Sequence, residues 1–255
     1  MDRWLLLAAT LLAVIGGGAG MLAVHRGVRS RWTVVWMVGV LLCQFGYLGL
    51  RGQVRGACPV QDLGETLVFL AWSLTLFYLL VGPAYRLSLL GVFSTPLVAV
   101  LQVLALFYGW LGPAPKWVGE TSMFHALHSA TSVLAYGALG LAGIAGTMFL
   151  VLDRQLKDRV LRSGLFRNLP PARDLLVSLE RLLWLGTGLL TVGVVAGFLM
   201  PRTIAAHSHT IVAMAVWAGY AALLAVKSLR GLTGRKLALS AVGIFVLSLL
   251  VFASV

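Results

Sequence analysis

Charge is scarce in this 255-residue chain, with Asp, Glu, Lys and Arg together making up 11% of it. A water-soluble domain carries about a quarter charged residues, so too little polar surface is available here to face water. Acidic residues are scarcer still, 8 against 20 Lys and Arg, and the only cysteines are Cys43 and Cys58. Two thiols exclude a disulfide framework and any multi-cysteine zinc or iron–sulfur site. Cys43 falls inside an apolar run and Cys58 in the connection beyond it, a separation in depth of roughly 10 Å along a helix. That separation argues against a disulfide between them. Also missing are a phosphate-binding glycine loop, a Gly-x-Ser-x-Gly elbow and a His-Glu-x-x-His helix. The ten-residue alternation of a membrane barrel is absent too. The apolar runs hold almost no ionisable residues, which disfavours a proton relay or ion pathway built on buried carboxylates.

What the chain has in abundance is long apolar sequence: 60% hydrophobic residues and a mean hydropathy of +0.94. The runs are Trp4–Val24, Trp32–Leu50, Glu65–Gly82, Leu87–Leu111, Phe124–Leu152, Leu182–Met200, Thr210–Val226 and Leu237–Ser254. Each is close to the roughly 20 residues that one membrane crossing requires. Helices satisfy their own backbone polar groups, as lipid demands. The expectation is an all-α, polytopic membrane helix bundle of about eight transmembrane helices, forming a single membrane domain over residues 1–255 in contact with lipid. The 29 glycines suit helices that approach closely in a bilayer. The first run is longer than a signal-peptide core and lacks a small-residue cleavage site, so it is expected to be retained. The longest, Phe124–Leu152, reads as a tilted or protruding helix.

A net charge of +12 would suggest nucleic acid in a soluble protein. Here the cations gather between apolar runs, so topology explains them and no nucleic-acid partner is expected. Alternating the spans places fifteen Lys and Arg on one side and five, Arg3, Arg51, Arg55, Lys116 and Arg202, on the other. Cations are retained in the cytoplasm, so both termini are expected outside, in a bacterial inner membrane. The largest cytoplasmic element is the basic connection 153–181. It starts as a continuation of the fifth helix, breaks at Asn168-Leu169-Pro170-Pro171, and resumes as helix near Asp174, a plausible cap.

Topology makes the histidines informative. His25 falls in a cytoplasmic loop, whereas His125, His128, His207 and His209 fall at the external ends of the fifth and seventh helices. His125 and His128 are three apart and share a helix face, and bundles build ligand sites from facing helices. Four imidazoles at one depth could hold haem, zinc or copper. They could equally be interfacial side chains bonded to water. Trp110 and Trp117 suit an aromatic belt, or could line a porphyrin. Glu65 is read first as a helix-start carboxylate favoured by the dipole, and second as a site residue.

The stretch Arg51-Gly52-Gln53 through Cys58-Pro59, then Glu65-Thr66-Leu67-Val68-Phe69-Leu70-Ala71-Trp72, resembles the early part of cytochrome c assembly proteins of the CcsA/HemX type. His128 followed by Ala135-Tyr136 is similar to that family's pattern, as are Leu169-Pro170-Pro171, Leu190-Thr191-Val192-Gly193, Trp217 with Tyr220, and Gly231 to Arg235. The resemblance covers about Arg51 to the end.

It implies a haem-handling membrane protein that binds or delivers haem at the external face for cytochrome c assembly. Other assembly membrane proteins are the implied partners, with apocytochrome c as recipient. His128 matches the external haem-ligand histidine of synthase members, an axial ligand to haem iron, with His209, His207 and His125 as further candidates. The chain departs from the synthase pattern in three places. Pro201–His209 stands where a tryptophan-rich loop ending in Trp-Asp is expected, Ala225 stands where a further histidine is expected, and no histidine follows the last span. The implied form is the shorter, HemX-like branch, not expected to catalyse haem attachment on its own. The alternative is a non-catalytic scaffold or regulator of haem biosynthesis acting through the basic connection.

Overall fold

The computed structural model describes residues 2–26, 32–81, 88–111, 116–119, 121–157, 171–200 and 207–253. Among them every regular element is helical: α1 (Asp2–His25), α2 (Trp32–Arg55), α3 (Leu63–Val81), α4 (Ser88–Leu111), α5 (Met123–Lys157), α6 (Ala172–Phe198), α7 (His207–Arg230) and α8 (Gly234–Ala253). Each apolar run read from the sequence has become one helix, so the bundle class is as expected. Among the described residues, seven of the eight are long and apolar enough to cross a membrane.

The observed helices outrun the apolar runs at several ends. α2 continues to Arg55, while α5 continues to Lys157 and α6 begins at Ala172, close to the continuation and the resumption near Asp174 expected from the sequence. Backbone bonding continues after hydropathy stops, because a helix of Lys, Arg and Glu is as well formed as one of Leu. The expected cap at Asp174 shifts accordingly. Pro171 occupies the cap position with no side-chain bond, and Asp174 lies in the first turn, its N–H donating to the Pro171 carbonyl at 3.0 Å. A carboxylate there is favoured by the helix dipole. The break at 168–170 lies outside the described residues.

The helices group into two compact units. In the first, α1 lies against α2 and α4, and α3 packs on α2 and α4. Close approach depends on glycine: a Cβ on Gly16 would meet Trp36, and one on Gly91 would overlap the Tyr78 ring. Pro96 sits inside α4 and removes one backbone donor, which a packed membrane helix tolerates.

The second unit is built around α5, whose 35 residues span about 52 Å at 1.5 Å per residue. Its middle is small and fully enclosed, with Ala135, Ala138, Ala142 and Ala145 all at 0% exposure. α6 lies antiparallel along it, and Gly186 and Gly193 face Leu139 and Ser132. α8 covers another face, where Gly143 and Gly146 meet Phe245 and Val242 and the Tyr136 hydroxyl donates to the Ser248 carbonyl. α7 joins α6 through Trp217 Nε1 donating to Thr191 Oγ1 at 2.9 Å and a Lys227–Glu180 pair at 3.6 Å.

Candidate functional site

Ser122 caps α5, its hydroxyl accepting the His125 N–H at 3.2 Å. This places His125 in the first turn and His128 one turn later. His125 is exposed, and its backbone carbonyl accepts the Ser129 hydroxyl. His128 is half-buried, with Nδ1 2.7 Å from the Gly193 carbonyl oxygen on α6. A carbonyl only accepts, so Nδ1 carries the proton and donates. The Nε2 lone pair is then left for another partner. Metal-bound histidines almost always have their second nitrogen held by such a group, which fixes tautomer and ring orientation.

The seat of the ring is set by glycine. A Cβ on Gly197 would lie 2.9 Å from His128 Nδ1, and one on Gly193 would lie 2.8 Å from Ser132 Oγ. Gly186, Gly193 and Gly197 recur at seven and four residues along one face of α6, against Leu139, Ser132 and His128. The missing side chains let α6 come close enough for a backbone carbonyl to reach the imidazole.

His207 and His209 lie in the first turn of α7, which begins three residues ahead of the apolar run Thr210–Val226. Their side chains are outside what is described. The Lys227–Glu180 and Trp217–Thr191 contacts fix an antiparallel register between α7 and α6. Carried on, that register brings about Ile211, one turn into α7, to the level of Gly197. Among the described residues no three of His, Cys, Asp or Glu form a metal-binding group.

One feature of the first unit escaped the sequence reading. Glu65, 1% exposed, accepts from Arg55 Nε at 2.8 Å and lies 3.8 Å from Arg51, which pairs with Asp2 at 2.9 Å. Arg55 also pairs with Asp62 and donates to the Lys116 carbonyl at 3.3 Å, while its own carbonyl accepts the Val118 N–H at 3.0 Å. Arg51 stacks 5.4 Å above the Tyr47 ring. Glu65 sits in the first turn of α3, as the first reading has it, and it is the buried centre of an ion network. The hint lay in Arg51 and Arg55, one turn apart, preceding Asp62 and Glu65, three apart. The two loops meet here, and Gly56, with φ +67°, carries the Trp117 indole where a Cβ would stand. Cys58 and Cys43 are both free thiols. Burial, and secondarily the Glu65 charge, pushes the Cys58 thiol above its ordinary value.

These features define a multi-pass helical membrane protein, with a carbonyl-oriented imidazole in its second unit and a buried ion network in its first. The chain belongs to the cytochrome c assembly protein family, whose pattern matches residues 60–255. It is 26% identical to the cytochrome c biogenesis protein CcsA of Microcystis aeruginosa, over 80% of this chain and 78% of that one. It is 29% identical to CcsA of Synechococcus sp. (strain CC9902), over 76% of this chain and 73% of the relative. With CcsA of Crocosphaera subtropica it shares 29% identity over 50% of this chain and only 40% of the relative.

Proposed function

We propose that this protein acts in cytochrome c biogenesis by holding haem at the external face of a bacterial inner membrane. In this reading His128 Nε2 would bind the iron, with His209, His207 and His125 as the candidates for a second ligand. The N-out, C-out topology inferred from the cation count puts the starts of α5 and α7 outside. Haem bound there supplies the iron and the vinyl groups with which an apocytochrome's cysteines form thioethers. The protein's part is to bind and orient it alongside partner assembly proteins.

The observation that carries the reading is the 2.7 Å bond from His128 Nδ1 to the Gly193 carbonyl. It fixes the ring in the tautomer a metal needs, and the glycine seat gives the ring a defined place. A histidine kept only for solubility at a helix end would need neither. The test is an absorption spectrum of the protein purified in detergent, with and without added haem. A low-spin haem band is expected, weakened in His128→Ala. A protein that takes up no haem refutes this reading and favours the membrane scaffold instead.

A further inference from the structure

In the first unit, α2 and α4 run parallel and in step. Thr95 Oγ1 lies 3.5 Å from the Met37 sulfur, and a Cβ on Gly20 would touch Thr33 and Val92 together. Buried positions then recur in matching order: Thr33, Met37, Val40, Gln44 and Tyr47 on α2, and Val92, Thr95, Val98, Gln102 and Ala105 on α4. From the Met37–Thr95 contact, seven residues along each helix lead to Gln44 and to Gln102. Seven residues are close to two turns, so the two side chains share one level and face the same seam.

Both glutamines are 0% exposed, and none of their four amide atoms hydrogen-bonds to a protein group. Trp72 Nε1 on α3 is also buried without a partner. Gly64 against Tyr108 and Tyr78 against Gly91 set α3 antiparallel to α4, which brings Trp72 to about one turn from Gln102. Gln44 stands at the middle of α2. The next buried polar positions towards the helix end are Tyr47, then Arg51 over its ring, then Arg55 and Glu65. Polar groups thus line one face of α2 from the ion network down to mid-span.

Buried amides are rarely left unbonded, because each loses its water without compensation. Polar sites buried in protein take up water, whereas apolar ones stay dry. A metal ion is a poor occupant, since the two carboxamides offer only two oxygens and no charge. We propose that the α2–α4 seam is a water-binding site at mid-span, in which Gln44 and Gln102 are the ligands of ordered water. Neither α2 nor α4 carries a carboxylate, so the two helices leave the seam neutral, and it holds water without storing a proton.

The test is water-edited solid-state NMR on the full chain in lipid bilayers, with glutamine labelled on the side-chain nitrogen. The chain has only five glutamines, Gln44, Gln53, Gln61, Gln102 and Gln155, and each can be assigned through its own backbone. Magnetisation from water should reach Gln44 and Gln102 within about threefold of the rate for Gln53, as expected for directly bonded water. Build-up at Gln44 and Gln102 as slow as in a lipid-facing leucine methyl would overturn the proposal. So would recovery, in an organic extract, of a stoichiometric uncharged molecule whose removal turns the two amides wet.

Discussion

Glu65→Gln isolates the worth of the ion network, because it removes a charge and keeps the shape. The carboxylate is 1% exposed, with Oε1 2.8 Å from Arg55 Nε and Oε2 accepting the Gln61 N–H at 3.1 Å. Removing one partner of a buried pair costs about 3–5 kcal/mol, chiefly because the other charge is left uncompensated. Arg55 keeps Asp62 and the Lys116 carbonyl, so the lower end applies, about 3 kcal/mol. For a chain of this length each kcal/mol moves the melting temperature about 2–4 °C, so a fall of about 6–12 °C is expected. Tryptophan fluorescence during heating in detergent reads it, helped by Trp117 lying on Gly56 beside Arg55. Asp153→Asn is the comparison. Its partners Lys157 and Arg235 are 56% and 61% exposed, and such pairs contribute about 0.5 kcal/mol each. If Glu65→Gln melts within about 2 °C of the parent, the network does not stabilise the unit and the reasoning fails.

Three further outcomes are expected. Gly197→Val should push the imidazole off the Gly193 carbonyl and abolish haem uptake while leaving the helix content by circular dichroism unchanged; uptake at parental level would refute the glycine seat. Cys58 should react with maleimide at neutral pH more slowly than an exposed thiol, because burial raises its pKa and lowers the thiolate fraction. Its rate should climb with pH, and Glu65→Gln should speed it by removing the neighbouring charge. The folded chain holds the Cys58 proton more tightly than the unfolded chain does. That increment is present below the ordinary thiol value and is lost as pH rises through the raised one. Trp217→Phe should lower stability by about 1 kcal/mol, the net worth of one hydrogen bond, measured as a fall of about 2–4 °C in melting temperature.

The helices were legible because lipid imposes a length and a polarity that hydropathy reads directly. Their ends were less so. α2 ran five residues past Leu50 to Arg55, where Arg51, Gln53 and Arg55 dilute the apolar signal without weakening the backbone. His128 was singled out by its place at a helix end and by the family resemblance. The Gly193 carbonyl that orients it lies 65 residues away, and no local pattern announces that pairing. The ion network was missed because counting cations by side treats Arg51 and Arg55 as solvated loop charges. In the structure they extend α2 and are buried against Glu65. The Gln44–Gln102 level was equally hidden, since it depends on the parallel register of two helices separated in the chain by α3.

The most direct test of the haem-ligand account is His128→Gly with added imidazole. The variant should lose the low-spin haem band, and free imidazole should restore it by occupying the space the side chain left. A variant that keeps the full band without imidazole would show that His128 is not the ligand, and would contradict the account.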